Sequence, residues 1–202
     1  MVNTNQNTEE RILEAAKTIF HRKGFEGARM QEIADEAGIN KSLLHYYFRS
    51  KENLFSAVFR SAFREIFTKL FMTAGSDDPF EEKIQKLVNE YIGFLQQNSY
   101  IPGFILAELN QNPEKIAEVF KSAPFPTAML FGRMKDSIPD RQMKDDDFRE
   151  FFINLLALCI FPVAAKPLLK LMFNFGEAEY EEFLENRKEH LPEFLMNAIR
   201  KK

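Results

Sequence analysis

The chain has 202 residues, of which 45% are hydrophobic and 28% are charged, and its formal net charge is −3. That length suffices to bury a core in one large domain or two small ones, and the composition excludes a chain that is mostly disordered. The charge argues against a general binder of polyanions. The single cysteine, Cys159, has no second thiol to pair with, so we expect no disulfide, no metal site and a reducing, cytoplasmic setting.

Neither secretion nor a membrane span is predicted. Glu9 and Glu10 stand where a signal peptide would carry basic residues before an apolar run. The longest apolar stretch, residues 151–165, contains Asn154 and Pro162 and is shorter than the roughly 20 residues that a helix needs to cross a bilayer. We therefore expect a buried helix there and no membrane partner.

Helical signals fill the first third of the chain. Asn7 or Thr8 can cap a first helix, whose end is predicted at Gly24. Asn40 and Ser50 are favourable N-caps for two later helices. The three helices after the first are predicted at about residues 30–37, 41–48 and 51–72.

The fourth helix carries an aromatic ladder. Its phenylalanines recur every four residues, at Phe55, Phe59, Phe63, Phe67 and Phe71. Because four residues advance a helix by about 400°, the apolar stripe turns by about 40° at each step. The simpler interpretation, favoured for each phenylalanine taken alone, is a helix wedged in a core. A sharper interpretation, which can hold together with it, is that the start of this helix packs on an N-terminal module through Leu54 and Phe55. Its end is predicted to pack on a second core through Phe67 and Phe71.

The rest of the chain also predicts helices, and no strand alternation or internal repeat stands out, so the expected fold class is all-α. Pro192 lies inside the last helix, where an interior proline costs about 3 kcal/mol, and we expect a kink or a break near residues 188–191. The predicted segments are about residues 80–97, 102–110, 114–122, 126–137, 146–161, 167–174 and 177–200.

The second and third helices form a recognisable unit. Gly38 between them can adopt the positive φ of a sharp turn, and Ala34 is small enough for two helices to cross closely. This is the layout of a helix-turn-helix, whose second helix enters the major groove of DNA. From Gly38 to Lys51 the chain has three basic residues and no acidic one. The local charge therefore favours a nucleic acid despite the negative total.

The same segment carries a more specific pattern. The run IADEAGINKSLLHYYFRSKENLF, residues 33–55, resembles the TetR family of transcriptional regulators (TetR/AcrR type), as does the turn formed by residues 23–25 before it. The resemblance implies a three-helix helix-turn-helix DNA-binding domain over residues 1–50. It further implies a helical-bundle effector-binding and dimerisation domain over residues 51–202. The implied function is that of a ligand-responsive repressor, which binds a palindromic double-stranded DNA operator as a homodimer.

The resemblance also assigns contacts to DNA. Base edges would be met by Lys41, Ser42, Leu43 and His45. Phosphates would be met by Tyr46, Tyr47 and Lys51, and Gln31 near the start of the second helix can reach the DNA backbone too. Leu44 and Phe48 are expected in the core. The family pattern is broken at Arg29, where a helix cap is usual, at Leu43, where threonine or serine is usual, and at His45, where tyrosine is usual, so the operator sequence stays open.

Two more sites are implied in the second domain. Nineteen of the 22 phenylalanines follow residue 51, and they either fill a core or line a pocket for a small apolar or aromatic effector, whose binding would move the fourth helix. The candidate lining residues are Phe94, Phe104, Phe125, Met129 and Phe131. The candidate dimer contacts are Phe183, Leu184, Phe194 and Leu195, for which packing inside one chain is an equal alternative.

Two other classes of function are weaker alternatives. The three histidines are scattered, and no HExxH, GxSxG, P-loop or dinucleotide-binding glycine run is present, so we expect neither an enzyme nor a cofactor. The departures at Arg29, Leu43 and His45 would suit a helical dimeric interaction or ligand-binding protein with a degenerate DNA-binding module.

Overall fold

The computed structural model describes residues 4–138 and 143–200. Within these two ranges the secondary structure is helical and no strand occurs, which confirms the predicted all-α class. The helices in chain order are α1 (Thr4–Gly27), α2 (Met30–Glu36), α3 (Lys41–Phe48), α4 (Lys51–Ala74), α5 (Phe80–Gln97), α6 (Ile101–Gln111), α7 (Pro113–Lys121), α8 (Thr127–Asp136), α9 (Asp145–Ala164), α10 (Lys166–Phe173) and α11 (Glu177–Arg200).

Several helix ends lie where local chemistry predicts them. The side-chain oxygen of Asn40 accepts a hydrogen bond from the Leu43 amide at 2.8 Å, and the Ser50 hydroxyl accepts one from the Asn53 amide at 3.2 Å. The N-caps predicted at Asn40 and Ser50 are therefore confirmed, whereas α1 begins at Thr4, before the cap predicted at Asn7 or Thr8. The backbone of α1 leaves helical geometry at Gly24, where φ is 68°, and one further turn follows to Gly27.

The helices enclose two hydrophobic cores that share α4. The N-terminal core joins α1, α2, α3 and the first half of α4, and it includes Leu54 and Phe55. The C-terminal core joins the second half of α4 to α5, α8, α9 and α11, and it includes Phe67 and Phe71. The predicted division of α4 between two neighbours is thus confirmed. Phe63, halfway along, packs against both cores.

Helices α6 and α7 pack in the same core as the first half of α4 rather than the second half. Their buried residues Ile101, Ile116 and Val119 belong to the N-terminal core. The N-terminal core therefore contains residues from beyond position 100. Because this core has members on both sides of residue 51, the proposed domain boundary does not separate two independent cores.

The proline inside α11 does not break the helix. Pro192 has no amide to donate to the carbonyl of Lys188, four residues earlier. The side chain of Gln85 on α5 donates to that carbonyl at 2.8 Å instead. Because α11 continues from Glu177 to Arg200, the predicted break near residues 188–191 does not occur.

A second interior proline is accommodated in the same way. Pro162 in α9 leaves the carbonyl of Leu158 without its helical donor. The guanidinium of Arg187 on α11 donates to that carbonyl through Nε at 3.0 Å and Nη2 at 2.9 Å. Desolvation of this half-buried group lowers the pKa of Arg187. Both freed carbonyls are therefore satisfied by side chains from neighbouring helices.

Helices α9 and α10 leave apolar side chains exposed. In the described ranges no single helix has the length and apolarity to cross a membrane, although these two, which meet at an angle of 73°, would together have both. The exposed large apolar residues of the pair are Ile153, Phe161, Leu168, Leu171, Met172 and Phe173.

We predict that Gln85→Leu lowers the free energy of unfolding by about 1–3 kcal/mol, because the part-buried Lys188 carbonyl loses its donor. Urea denaturation followed by circular dichroism measures this loss. In a Pro192→Ala background the backbone amide at position 192 becomes available to that carbonyl, and Gln85→Leu should then cost much less. Equal losses in the two backgrounds would contradict this account of the proline.

Candidate nucleic-acid interface

A tight turn sets the angle between α2 and α3. The amide of Gly38 donates to the Asp35 carbonyl at 3.1 Å, and the amide of Ile39 donates to the Ala34 carbonyl at 3.0 Å. Gly38 has φ 63°, a value that residues with a Cβ seldom adopt. Ala34 is fully buried at the crossing of the helices. The predicted helix-turn-helix geometry is therefore present.

Helix α3 is anchored to the N-terminal core by the residues on its inner face. Leu44 is fully buried and Phe48 is 8% exposed, as predicted for core residues. The ring of Tyr47 is half-buried and packs edge-to-face against Tyr46, with centroids 5.6 Å apart. These contacts hold α3 against the N-terminal core and leave its other face to solvent.

The exposed face of α3 carries most of the predicted DNA contacts. Tyr46 projects furthest, with 79% of its surface exposed. Lys41, Ser42 and His45 are exposed as well, whereas Leu43 is half-buried at the edge of this face. The structure thus brings a cation, a hydroxyl, an imidazole and a phenol together on one helix that is only eight residues long.

Helix α2 flanks this face. Arg29 is its N-cap residue and makes no side-chain capping hydrogen bond, so the cap missing from the sequence pattern is missing in the structure too. The exposed side chain of Gln31 donates to the Asp35 carboxylate at 2.7 Å. At the same end of α2, the ammonium of Lys23 lies 2.7 Å from Glu32 and lowers the pKa of that carboxyl.

The side chain of Lys51 faces the protein interior rather than the solvent. Its Nζ donates to the carbonyls of Phe25 at 2.9 Å, Ala28 at 3.3 Å and Glu26 at 3.5 Å. The same ammonium lies 4.5 Å from the centre of the Phe25 ring. Since an ammonium has three protons to donate, these contacts occupy it. These contacts give Lys51 a positioning role, which fixes the start of α4 to the end of α1, and its assignment to a phosphate stays a prediction.

Sequence reasoning missed a comparable contact of Arg11. Its guanidinium Nη2 donates to the carbonyl of Ala37 at 2.6 Å, at the C-terminal end of α2. A cation at that end of a helix interacts favourably with the helix dipole. The last turn of α2 contains no basic residue of its own, which is the one signal in the sequence that a cation from elsewhere would be needed there.

A family model described as "Bacterial regulatory proteins, tetR family" matches residues 12–58. The match spans the end of α1, the whole helix-turn-helix and the first turns of α4. This match confirms that the helix-turn-helix region of the chain resembles the TetR family.

Curated HTH-type transcriptional regulators are also similar to this chain. Described as a probable HTH-type transcriptional regulator, YttP of Bacillus subtilis is 28% identical over 119 residues, 57% of each chain. The HTH-type transcriptional regulator RutR of Escherichia coli K12 is 45% identical over 69 residues, which are 29% of this chain and 32% of RutR. The repressor NicS of Pseudomonas putida is 36% identical over 84 residues, 40% and 38% of the two chains. These matches thus span between about a third and just over half of the relatives' lengths.

Solved structures of the TetR type share the fold over nearly the whole chain. FadR from Bacillus subtilis, solved with stearoyl-CoA, gives a TM-score of 0.66 at 17% identity and covers 92% of this chain and 96% of that one. A TetR/AcrR-family regulator from Thermobifida fusca gives 0.63 at 21% identity and covers 92% and 97%. At these identities the likeness establishes the fold alone.

The residues predicted to line one effector pocket do not converge in this structure. Phe104 packs in the N-terminal core, Phe125 stacks on Phe71 with centroids 3.8 Å apart, and Met129 and Phe131 are exposed on α8. Two cavities in the described ranges, of about 500 and 360 Å³, include none of the five predicted residues. These residues therefore do not line one cavity in this structure, and the effector site stays a prediction.

The four residues predicted as dimer contacts differ in their exposure. Leu184 and Leu195 are each 2% exposed and belong to the C-terminal core, so their prediction as exposed contacts is wrong and the intramolecular alternative holds for them. Phe183 is half-buried beside the Phe175 ring, at 5.6 Å. Phe194 is 63% exposed and stays a candidate. Leu184 and Leu195 lie on the inner face of α11, whose amphipathic pattern did not tell a core from an interface.

We predict that Lys51→Met lowers the free energy of unfolding by about 1–3 kcal/mol, because carbonyls at the end of α1 lose a charged donor. Lys41→Met is the matched control, since Lys41 is an exposed lysine of the same segment and its loss should change stability by less than about 0.5 kcal/mol. Chemical denaturation measures both variants. If Lys51→Met were as harmless as the control, the positioning role would be refuted and the phosphate contact would regain support.

Proposed function

We propose that this protein is a transcriptional repressor of the TetR type that binds a palindromic DNA operator as a homodimer and releases it when a small apolar or aromatic effector binds. The observation that carries the proposal is the exposed face of α3, held in place from behind by Leu44 and Phe48. A helix supported in this way can enter the major groove without unfolding or reorienting.

The side chains on this face suit two kinds of contact. Lys41 and Ser42, in the first turn of α3, can donate to acceptors on base edges, and Leu43 can contact a thymine methyl group. The hydroxyls of Tyr46 and Tyr47 and the amide of Gln31 can donate to phosphates, which fixes the position of α3 in the groove. Exposed Arg29 and Arg49 add positive charge on either side of that face.

The homodimer would form through α9 and α11. Ile153, Ala157 and Phe161 follow one another at intervals of four residues and are all exposed, which makes a single apolar stripe along α9. Phe194 and Ala198 form a shorter exposed stripe of the same spacing on α11. Packing these stripes against a second copy would cover them in a four-helix interface.

Effector binding would act through an aromatic junction between α6 and the helix-turn-helix. The ring of Phe104 on α6 lies 4.0 Å from Phe55 on α4 and 6.0 Å from Phe25 on α1, measured between centroids. Tyr100, just before α6, lies 5.6 Å from Phe55. A shift of α6 would therefore displace the start of α4 and the end of α1 together, and with them α3. The apolar composition of the second domain favours an apolar or aromatic effector.

Selection of bound sequences from a random pool of duplex DNA tests the proposal. We expect an enriched palindrome whose half-sites lie one helical turn, about 34 Å, or a multiple of it apart. Tyr46→Phe should then weaken binding to that palindrome to a similar extent for all sequences, because a lost phosphate contact carries no base preference. No enrichment would refute DNA reading and favour a helical interaction protein.

Two variants test the proposed dimer. Phe194→Arg should convert the protein to a monomer in analytical ultracentrifugation and lower operator affinity, because each half-site would be bound alone. Leu106→Arg is the matched control, since Leu106 is comparably exposed but lies on α6. If Phe194→Arg stayed dimeric, the proposed α9 and α11 interface would be refuted.

A panel of fatty acids and aromatic acids tests the effector. We predict that at least one compound raises the midpoint of thermal unfolding and also weakens operator binding, since a ligand at 100 times its Kd stabilises the bound form by about 2.7 kcal/mol. Differential scanning fluorimetry finds the binders and fluorescence anisotropy measures the operator affinity. Binders that leave operator affinity unchanged would contradict the proposed release.

A further inference from the structure

His45 is held by a reciprocal pair of hydrogen bonds with Arg49. The backbone amide of Arg49 donates to the His45 carbonyl at 2.9 Å, and the imidazole Nδ1 of His45 lies 3.0 Å from the Arg49 carbonyl oxygen. A carbonyl oxygen can only accept a hydrogen bond. Nδ1 therefore carries the proton in this contact, and the contact fixes both the tautomer and the orientation of the ring.

The backbone of Arg49 is shaped for this contact. Its φ is 56°, a value that is uncommon for a residue with a Cβ, and it ends α3 as the C-cap residue. This conformation turns the Arg49 carbonyl out of the helical direction, where it can meet a side chain one turn back. The contact between His45 and Arg49 is thus part of how α3 ends.

The other ring nitrogen, Nε2, is left for an external partner. In a neutral imidazole one nitrogen donates and the other accepts, so Nε2 presents a lone pair when Nδ1 holds the proton. His45 is exposed beside Tyr46 on the face of α3 proposed to enter the groove. In that position a donor on a base edge is the complementary partner.

We propose that His45 determines operator specificity by accepting, at Nε2, a hydrogen bond from an exocyclic amino group, which is N6 of adenine or N4 of cytosine. This inference rests on the proposed function, since it requires that α3 enters the major groove. Guanine presents only the acceptors N7 and O6 there, and the neutral His45 has no proton left for them. Lys41, one turn earlier, has only donors and complements His45 by taking acceptors. The two positions would then select different bases.

The experiment starts from the palindrome enriched by the wild-type protein. A scan of single base-pair changes, measured at pH 8, is compared between wild type and His45→Ala. The base pair whose preference disappears in His45→Ala is the one that His45 contacts. Nucleotide analogues are then placed at that base pair.

Removing the exocyclic amino group of the contacted base should weaken wild-type binding about threefold to tenfold, the usual range for one hydrogen bond, and should not affect His45→Ala. At a contacted adenine, replacing N7 by carbon should leave wild-type binding unchanged. His45→Lys, which has only donors, should move the preference at this base pair to guanine. Loss of wild-type binding on removal of N7, or a contacted base that presents only acceptors, would overturn the inference.

Nuclear magnetic resonance of the ¹⁵N-labelled full chain tests the premise without DNA. We expect His45 to carry its proton on Nδ1 at pH 8, and a proton on Nε2 would overturn the inference whatever the DNA results. Failure of the selection to enrich any sequence would refute the proposed function and this inference together. An enriched palindrome with the wrong response to the analogues would refute this inference alone.

Discussion

The ammonium of Lys51, bonded to carbonyls at the end of α1, is the contact on which the arrangement of the helix-turn-helix depends. Helices of seven or eight residues such as α2 and α3 are not stable alone, so their orientation comes from what they pack against. Lys51 fixes the first residue of α4 to α1, and Arg11 fixes α1 to the end of α2. In both cases a cation from one helix meets the negative end of another. These cations stabilise the helix-turn-helix through bonds within the protein, and the residues on the exposed face of α3 are left for the proposed contacts with DNA.

Helix α4 extends this arrangement into the second domain. Its 24 residues turn from the N-terminal core to the C-terminal core, because a repeat of four residues does not match the helical period of 3.6. Phe63 packs against both cores at the point of change. A rearrangement of the C-terminal core therefore cannot leave the start of α4 unaffected unless the helix bends. The aromatic junction at Phe104 adds a second route between the domains, through α6 rather than α4.

The sequence predicted features that depend on neighbours along the chain. The caps at Asn40 and Ser50, the turn at Gly38 and the split of α4 are local or periodic patterns, and the structure confirms them. The contacts it could not predict join residues far apart: Lys51 reaches Phe25 across 26 positions and Gln85 reaches Lys188 across 103. Leu184 and Leu195 show a second kind of limit on prediction. An apolar helix face has the same sequence pattern whether it packs on its own chain or on a second copy.

The two interior prolines connect these limits to the proposed dimer. Each frees one carbonyl, and each freed carbonyl is bonded by a side chain from another helix, Gln85 on α5 or Arg187 on α11. These bonds set the register of α11 against α5 and of α9 against α11. Because α9 and α11 carry the exposed apolar stripes, the same bonds fix where a second copy would dock relative to α4. The separation of two recognition helices in a homodimer would then depend on hydrogen bonds made inside each chain, on the same helices that form the proposed interface.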